Sequence, residues 1–337
     1  MRKAVNIVTA IVFLVLTWNL SIQFFQNINA NSAADEPHTS YSLEADDHGQ
    51  VLKTPDGRTV LRYMTKKPAD SKLTANSVCC LFPLNTPSGE RVVDFAPGDH
   101  PHHRGVFLAW HAMDAGERAD FWGWGEMAPT SGRVIENRSV ELTAAKDLQA
   151  TIAVQNDWMA DDKKVIDEQT TVRVRQEGDA YLVDLVFRLT PTESVTLDRS
   201  AFGGFCVKAR KDGEGVYADA AGPVEREAPH HLKPETDWPS QPWYDYTITL
   251  QGDESREGAG AEPAKQIGVT VIDHPQNPPT MWHNLKSIAM INPCIVAPAA
   301  VTFTKDEPLE LRYRLVVHDG PLSAEAVEKF SAQWRGE

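Results

Sequence analysis

The sequence predicts an all-β protein, a large antiparallel β-sandwich with long loops and one C-terminal helix, and three observations carry that prediction. First, period-two hydrophobic patterns are sustained. In residues 181–189, Tyr181, Val183, Leu185, Phe187 and Leu189 fall on one face, with Asp184 and Arg188 on the other. Residues 309–317 repeat this with Leu309, Leu311, Tyr313, Leu315 and Val317 inward. Helices, with a period near 3.6, do not alternate in this way. Second, helical periodicity is nearly absent before the C-terminus. Third, the 22 prolines and 21 glycines gather between the strand-like runs, where turns and long loops need them.

In chain order, Arg2 and Lys3 precede an apolar run over residues 4–20 and a small-residue stretch, Asn29-Ala-Asn-Ser-Ala-Ala34. This is the order of a secretory signal peptide, residues 1–34, with cleavage near 30–34. The alternative is an uncleaved membrane anchor, because the run approaches the shortest bilayer spans. Either way the folded part lies outside the cytoplasm, periplasmic or secreted, and no membrane span remains after cleavage. Residues 35–50 read as a polar lead-in, and residues 51–337 as a single β-sandwich domain without internal repeats. Pro55-Asp-Gly57 between two short apolar runs marks a hairpin over residues 51–63. Residues 266–272 read as a further strand. Two loops stand out for length, 213–242 and 252–263. The C-terminal helix spans 323–335, where Val327, Phe330 and Trp334 form one apolar stripe.

Formal charge is −14, and losing Arg2 and Lys3 with a signal peptide makes the remainder more acidic still. Such a surface argues against nucleic acid or anionic lipid as partner and leaves a carbohydrate or other small neutral substrate open. Oligomeric state has no signature in the sequence. Four cysteines, Cys79, Cys80, Cys206 and Cys294, are too few for a disulfide framework, and adjacent Cys79 and Cys80 would point to opposite faces of a strand.

The densest chemistry lies at residues 99–111, which hold four of the eleven histidines with Asp99, Arg104 and Trp110. If residues 103–111 form a strand, His103 and His111 stand about 26 Å apart, which leaves Asp99, His100, His102, His103 and Arg104 as the compact group. His100, His102 and His103 would move protons near neutral pH, and Arg104 would steady developing negative charge. An alternate-residue pair, His100 and His102, could instead hold a divalent metal, though no Glu follows at the usual spacing. No cofactor is favoured. A turn of hydrogen-bonded histidines is the structural alternative.

Other segments offer substrate contacts. Trp122, Trp124 and Glu126 would share one face of an extended segment, two flat rings beside a carboxylate, which suits a sugar; core packing is the competing explanation. Lys208 follows a Gly203-Gly204 pair that suggests a bulge, and could point into a cleft. His230 and His231 belong to an exposed loop. Trp243 with Asp245 repeats the aromatic-plus-carboxylate pattern. Asp273 and His274 open a proline-stiffened loop that ends at Trp282, a place for ligand groups or simply a capped turn. His318, beside Arg312 and Arg314, reads as structural. No phosphate loop, nucleophile elbow or HExxH motif occurs.

Pro83-Leu-Asn-Thr-Pro-Ser-Gly89, the Asp99-His-Pro-His-His-Arg-Gly105 motif, Phe202-Gly-Gly-Phe205, Trp243-Tyr-Asp-Tyr246, Asp273-His-Pro-Gln-Asn-Pro-Pro-Thr-Met-Trp282 and Leu311-Arg-Tyr-Arg-Leu-Val-Val-His-Asp-Gly320 resemble, in order, the PmoA-like domain family of exported proteins from Planctomycetes and Bacteroidetes. The likeness covers about residues 45–320, departing after Trp282, where His283-Asn-Leu-Lys286 replaces an aromatic and an Arg. It implies a β-supersandwich similar to galactose mutarotases and company with genes for sugar oxidation and breakdown. Three functions follow as expectations: an exported carbohydrate-active enzyme using histidine acid/base chemistry of epimerase, lyase or hydrolase type; a metal-dependent oxygenase or hydrolase built on His100 and His102; or a non-catalytic glycan-binding module.

Overall fold

Strand pairing in the computed structural model, which describes residues 40–146, 148–251 and 264–336, gives the expected all-β sandwich. Among those residues an antiparallel sheet of seven strands faces one of nine. Each alternating segment becomes a strand. Ala180–Pro191 and Leu309–Asp319 lie side by side near the middle of the larger sheet, and their Tyr181, Val183, Leu185, Leu311, Tyr313 and Leu315 side chains enter the main core. The two sheets interlock there through aromatic rings, with Phe205 stacked on Tyr313 at 4.1 Å. Long hairpins Arg133–Lys146, Gln149–Ala160 and Lys163–Glu177 complete one side of that sheet.

The Pro55-Asp-Gly57 turn joins Gly49–Lys53 to Thr59–Met64, and the Gly57 amide donates to the Thr54 carbonyl at 2.9 Å. The sandwich begins earlier than the sequence suggests. Ser42–Asp46 is already an edge strand, so residues 42–50 belong to the sheet and not to a solvated lead-in. The described residues cluster as one compact unit. The expected signal segment lies outside the described residues, as does the loop 252–263. No helix among the described residues is long and apolar enough to cross a membrane.

The C-terminal helix Ala324–Arg335 has Ser323 as N-cap, whose hydroxyl accepts from the Ala326 amide. Its stripe of Val327, Phe330 and Trp334 covers Leu182, Trp243, Ile272 and Val316 on the outer face of the nine-stranded sheet. That cover explains why the outer face is not uniformly polar. Asp184 and Arg314, opposite each other in register, form a buried ion pair at 2.5 and 2.8 Å, and Arg314 lies 4.8 Å from the Trp334 ring. All four cysteines are free and buried.

Candidate functional site

The 99–104 segment is two successive turns and not an extended stretch. The His103 amide donates to the His100 carbonyl at 3.0 Å, and the Ala96 amide to the His103 carbonyl at 2.8 Å. This fans three imidazoles over a small area: ring centroids are 5.9 Å apart for His100 and His102, 5.2 Å for His100 and His103, and 4.5 Å for His102 and His103. They line an open pocket of about 370 Å³ together with Asp99, Trp124, Glu126, Phe202, His231, His283, Leu285, Ile288 and Met290. Small-molecule sites commonly have this size.

Burial makes these imidazoles weak bases. His102 is pushed down to about 4, by burial first and then by His100 and Arg104. His103 is driven well below its ordinary value for the same first reason, with His102 and His100 adding to it. His100 is also lowered by burial, against an opposing pull from Asp99. Asp99 itself bonds Lys211, whose contact overcomes burial and holds the carboxyl below its usual range. At neutral pH His102 and His103 are therefore neutral.

His111 lies close behind the wall of this pocket without lining it, contrary to the separation that a straight strand predicts. The strand Val106–Ala109 is short, and the chain bends after it. The His111 ring consequently stacks on Phe202 at 4.1 Å and meets Trp124 edge-on at 5.1 Å. It is held down to about 3 by burial and then by the nearby His283 and His102.

Several other expectations are corrected. Arg104 does not face the pocket. Its guanidinium is fully buried, lies 4.3 Å from the Phe107 ring and donates to the carbonyls of His102, Trp122 and Phe121 at 3.2, 3.1 and 3.4 Å. It braces the turns and cannot reach a substrate oxyanion. Trp122 and Trp124 do not share a face, because Gly123 and Gly125 adopt φ of +101° and +79°. Those left-handed turns, capped by the Asp120 carboxylate at 2.7 and 2.6 Å, send Trp122 into the core against Phe107 and leave Trp124 and Glu126 at the pocket.

Lys208 is fully buried, with Nζ donating to the Ala209 carbonyl at 3.0 Å, and burial lowers its pKa. The expected bulge does not appear, since Gly204 to Val207 pair in unbroken register with Ala109 to Val106, and the glycine pair has a packing cause instead: a Cβ on Gly203 or Gly204 would stand 3.0 or 3.3 Å from the Trp110 ring. Trp243 lies under the C-terminal helix, donating to Glu328 at 2.7 Å. Asp245 accepts from Thr270 at 2.7 Å and Thr247 at 2.8 Å and contacts His318 Nε2 at 3.1 Å, away from the pocket, which leaves His318 structural. Asp273 and His274 cap their loop. Asp273 accepts from Asn277 at 2.6 Å and burial raises it to about 6, and the His274 ring packs on Trp334 at 5.4 Å. Trp282 is core, its indole N–H donating to the Gln241 carbonyl at 3.1 Å.

Sequence reasoning missed the residue beside Trp282 and the partner that holds it. His283 lines the pocket, and its Nδ1 lies 2.6 Å from Asp237 Oδ1, both side chains being buried. Asp237 is raised by burial, an effect opposed by His283. The sequence signal was thin: His283 stands where the family resemblance expects an aromatic, and Asp237 is 46 residues away. Phe202, in the quoted Phe-Gly-Gly-Phe motif, and exposed His231 complete the rim, with His231 5.9 Å from Trp124. Among the described residues no three His, Cys, Asp or Glu side chains are arranged to hold a metal ion.

Fold and site together define a large antiparallel β-sandwich protein with a histidine-lined pocket beside one edge of its smaller sheet. The chain belongs to a family of unknown function, DUF6807, whose model matches residues 50–332. The comparisons give the PmoA-like resemblance no support. No curated protein matches the sequence. Among solved structures, the chain is similar to a polysaccharide lyase at 12% identity and TM-score 0.33, over 86% of this chain and only 34% of the lyase. It is also similar to a galactose mutarotase-like protein of Clostridium acetobutylicum at 9% identity and TM-score 0.36, over 83% of this chain and 98% of that one. A galactose mutarotase related enzyme of Lactobacillus acidophilus matches at 8% identity and TM-score 0.31, over 84% of this chain and all of that one.

Proposed function

We propose that the protein is an exported carbohydrate-active enzyme that works on a neutral sugar or glycoside by histidine acid/base chemistry, without a cofactor. The observation that carries this reading is the pocket itself, which sets a cluster of imidazoles, those of His102 and His103 neutral, beside the Trp124 and Phe202 rings in a space of about 370 Å³. Aromatic faces accept the apolar C–H side of a sugar, and imidazoles exchange protons or hydrogen bonds with its hydroxyls. Among the described residues the pocket lining contains no Lys or Arg, and Lys211 is engaged with Asp99, so an anionic sugar finds no ready counter-charge there. Glycoside hydrolysis normally needs two free carboxyl groups, one of them protonated. Asp99 is paired and kept ionised, which favours ring-opening, epimerisation or elimination. Export rests on the Arg2-Lys3 and apolar pattern at the N-terminus.

A screen of free neutral hexoses and aryl glycosides tests the reading. His102→Ala is expected to lower kcat by about 100-fold or more while sugar binding persists, in line with the usual worth of a group that transfers a proton or donates a hydrogen bond to developing charge. Dialysis against a chelator is expected to leave turnover unchanged; lost turnover restored by one equivalent of divalent metal would replace this reading with the metal-dependent one. Binding without turnover would leave a glycan-binding module.

A further inference from the structure

We infer that His283, held by Asp237, is the proton acceptor of this pocket: a catalytic residue with a positioning residue behind it. The inference rests on the sugar-enzyme reading above, and its ground is geometric. Trp238 and Trp282 exchange both main-chain hydrogen bonds, at 2.8 and 3.0 Å. That antiparallel bridge sets the flanking residues, Asp237 and His283, side by side. With Asp237 ionised, a carboxylate only accepts hydrogen bonds, so the 2.6 Å contact takes its hydrogen from Nδ1; the tautomer we assign to His283 keeps the Nε2 lone pair for the pocket. The His283 ring lies 5.6 Å from Phe202, and Phe202 stacks on His111.

The other pocket histidines lack this support. His102 has no carboxylate partner, and a charge formed on it would sit beside Arg104 and His100. His100 lies 3.7 Å from Asp99, a carboxylate already bonded to Lys211. In the step assigned to His283, the O–H bond of a bound sugar hydroxyl breaks, an Nε2–H bond forms, and the electron pair stays on the sugar oxygen. The Asp237 carboxylate offsets the imidazolium charge. His102 then acts as a neutral imidazole, donating a hydrogen bond to the sugar as negative charge develops.

Diethyl pyrocarbonate, which acylates unprotonated imidazole nitrogen, tests this on the purified protein without a substrate. Peptide mass mapping is expected to show His283 acylated, and Asp237→Asn is expected to slow that acylation by about 10-fold while exposed His230 reacts as before, because an amide donor at Nδ1 imposes the wrong tautomer. A far-downfield Nδ1 proton resonance is expected in the native protein and absent from both Asp237→Asn and His283→Gln. His283 left unmodified while His102 reacts, or equal acylation in Asp237→Asn, overturns the inference. On any hexose or aryl glycoside that the native protein turns over, both variants should lose about 100-fold in kcat with sugar affinity in a calorimetric titration unchanged. Native turnover by His283→Gln overturns the inference and leaves the sugar reading intact. If no sugar is bound or turned over, the sugar reading falls, and the acylation and resonance arms decide the pair by themselves.

Discussion

Arg104 shows how a residue can look catalytic and be architectural. Three backbone carbonyls accept from its two terminal nitrogens, and those carbonyls belong to the two loops that carry His102 and Trp124. A lysine offers a point charge and no fork, so Arg104→Lys is expected to cost about 2–4 kcal/mol in urea unfolding. The neighbouring tryptophans separate in the same way. Trp122→Ala, in the core, is expected to cost about 3–5 kcal/mol of stability. Trp124→Ala, half-buried at the pocket, should leave the unfolding midpoint nearly unchanged and weaken sugar binding several-fold, by about 1 kcal/mol. Equal losses of stability would remove the distinction. Residue type and density in 99–104 pointed to a segment that lines the pocket, but which tryptophan faces it depended on glycine backbone angles at 123 and 125 that parity counting ignores.

Strands and the terminal helix were legible because their signals are local. The alternation in 309–317 and the stripe at Val327, Phe330 and Trp334 each record one face meeting one partner. The helix boundary was equally readable from Ser323, and Ser323→Ala is expected to lower stability by about 1 kcal/mol in thermal unfolding. Trp334→Ala should cost about 3–5 kcal/mol, because it leaves a cavity above Arg314 and His274. Short strands were less legible. Val106–Ala109 continues into a bend that carries His111 back to Phe202, and apolar residues beyond a strand's end look the same as those within it. The Trp238–Trp282 bridge left no pattern at all, since two single residues pair across separate loops.

At the scale of the whole molecule, buried histidines set the response to pH from both sides. His102 and His111 are neutral in the fold, with values lowered to about 4 and 3, whereas an unfolded imidazole takes its proton near 6.5. Their contribution is complete above the unfolded value and is lost as pH falls through the folded values, so stability should drop from about pH 6.5 downward. His318 has the opposite sign. Burial works against its charge, but the Asp245 contact outweighs it and raises the folded value. Its contribution is complete below about 6.5 and is lost as pH rises through that raised value. Melting curves across pH should show His102→Gln flattening the acid limb and His318→Gln the alkaline limb; unchanged limbs would contradict both signs. By itself the sequence determined the fold class, the hairpin, the long strands, the capped helix and the segment that bears the histidines, because each is written in contacts between near neighbours. The tertiary structure alone decided the site. Strand order lays Gly204–Lys208 between Val106–Ala109 and Met290–Ile291, and that pairing brings together loops with no common periodicity. His283, Asp237, Phe202 and His111 meet because distant backbone hydrogen bonds align them, and one-dimensional spacing carries no trace of that alignment.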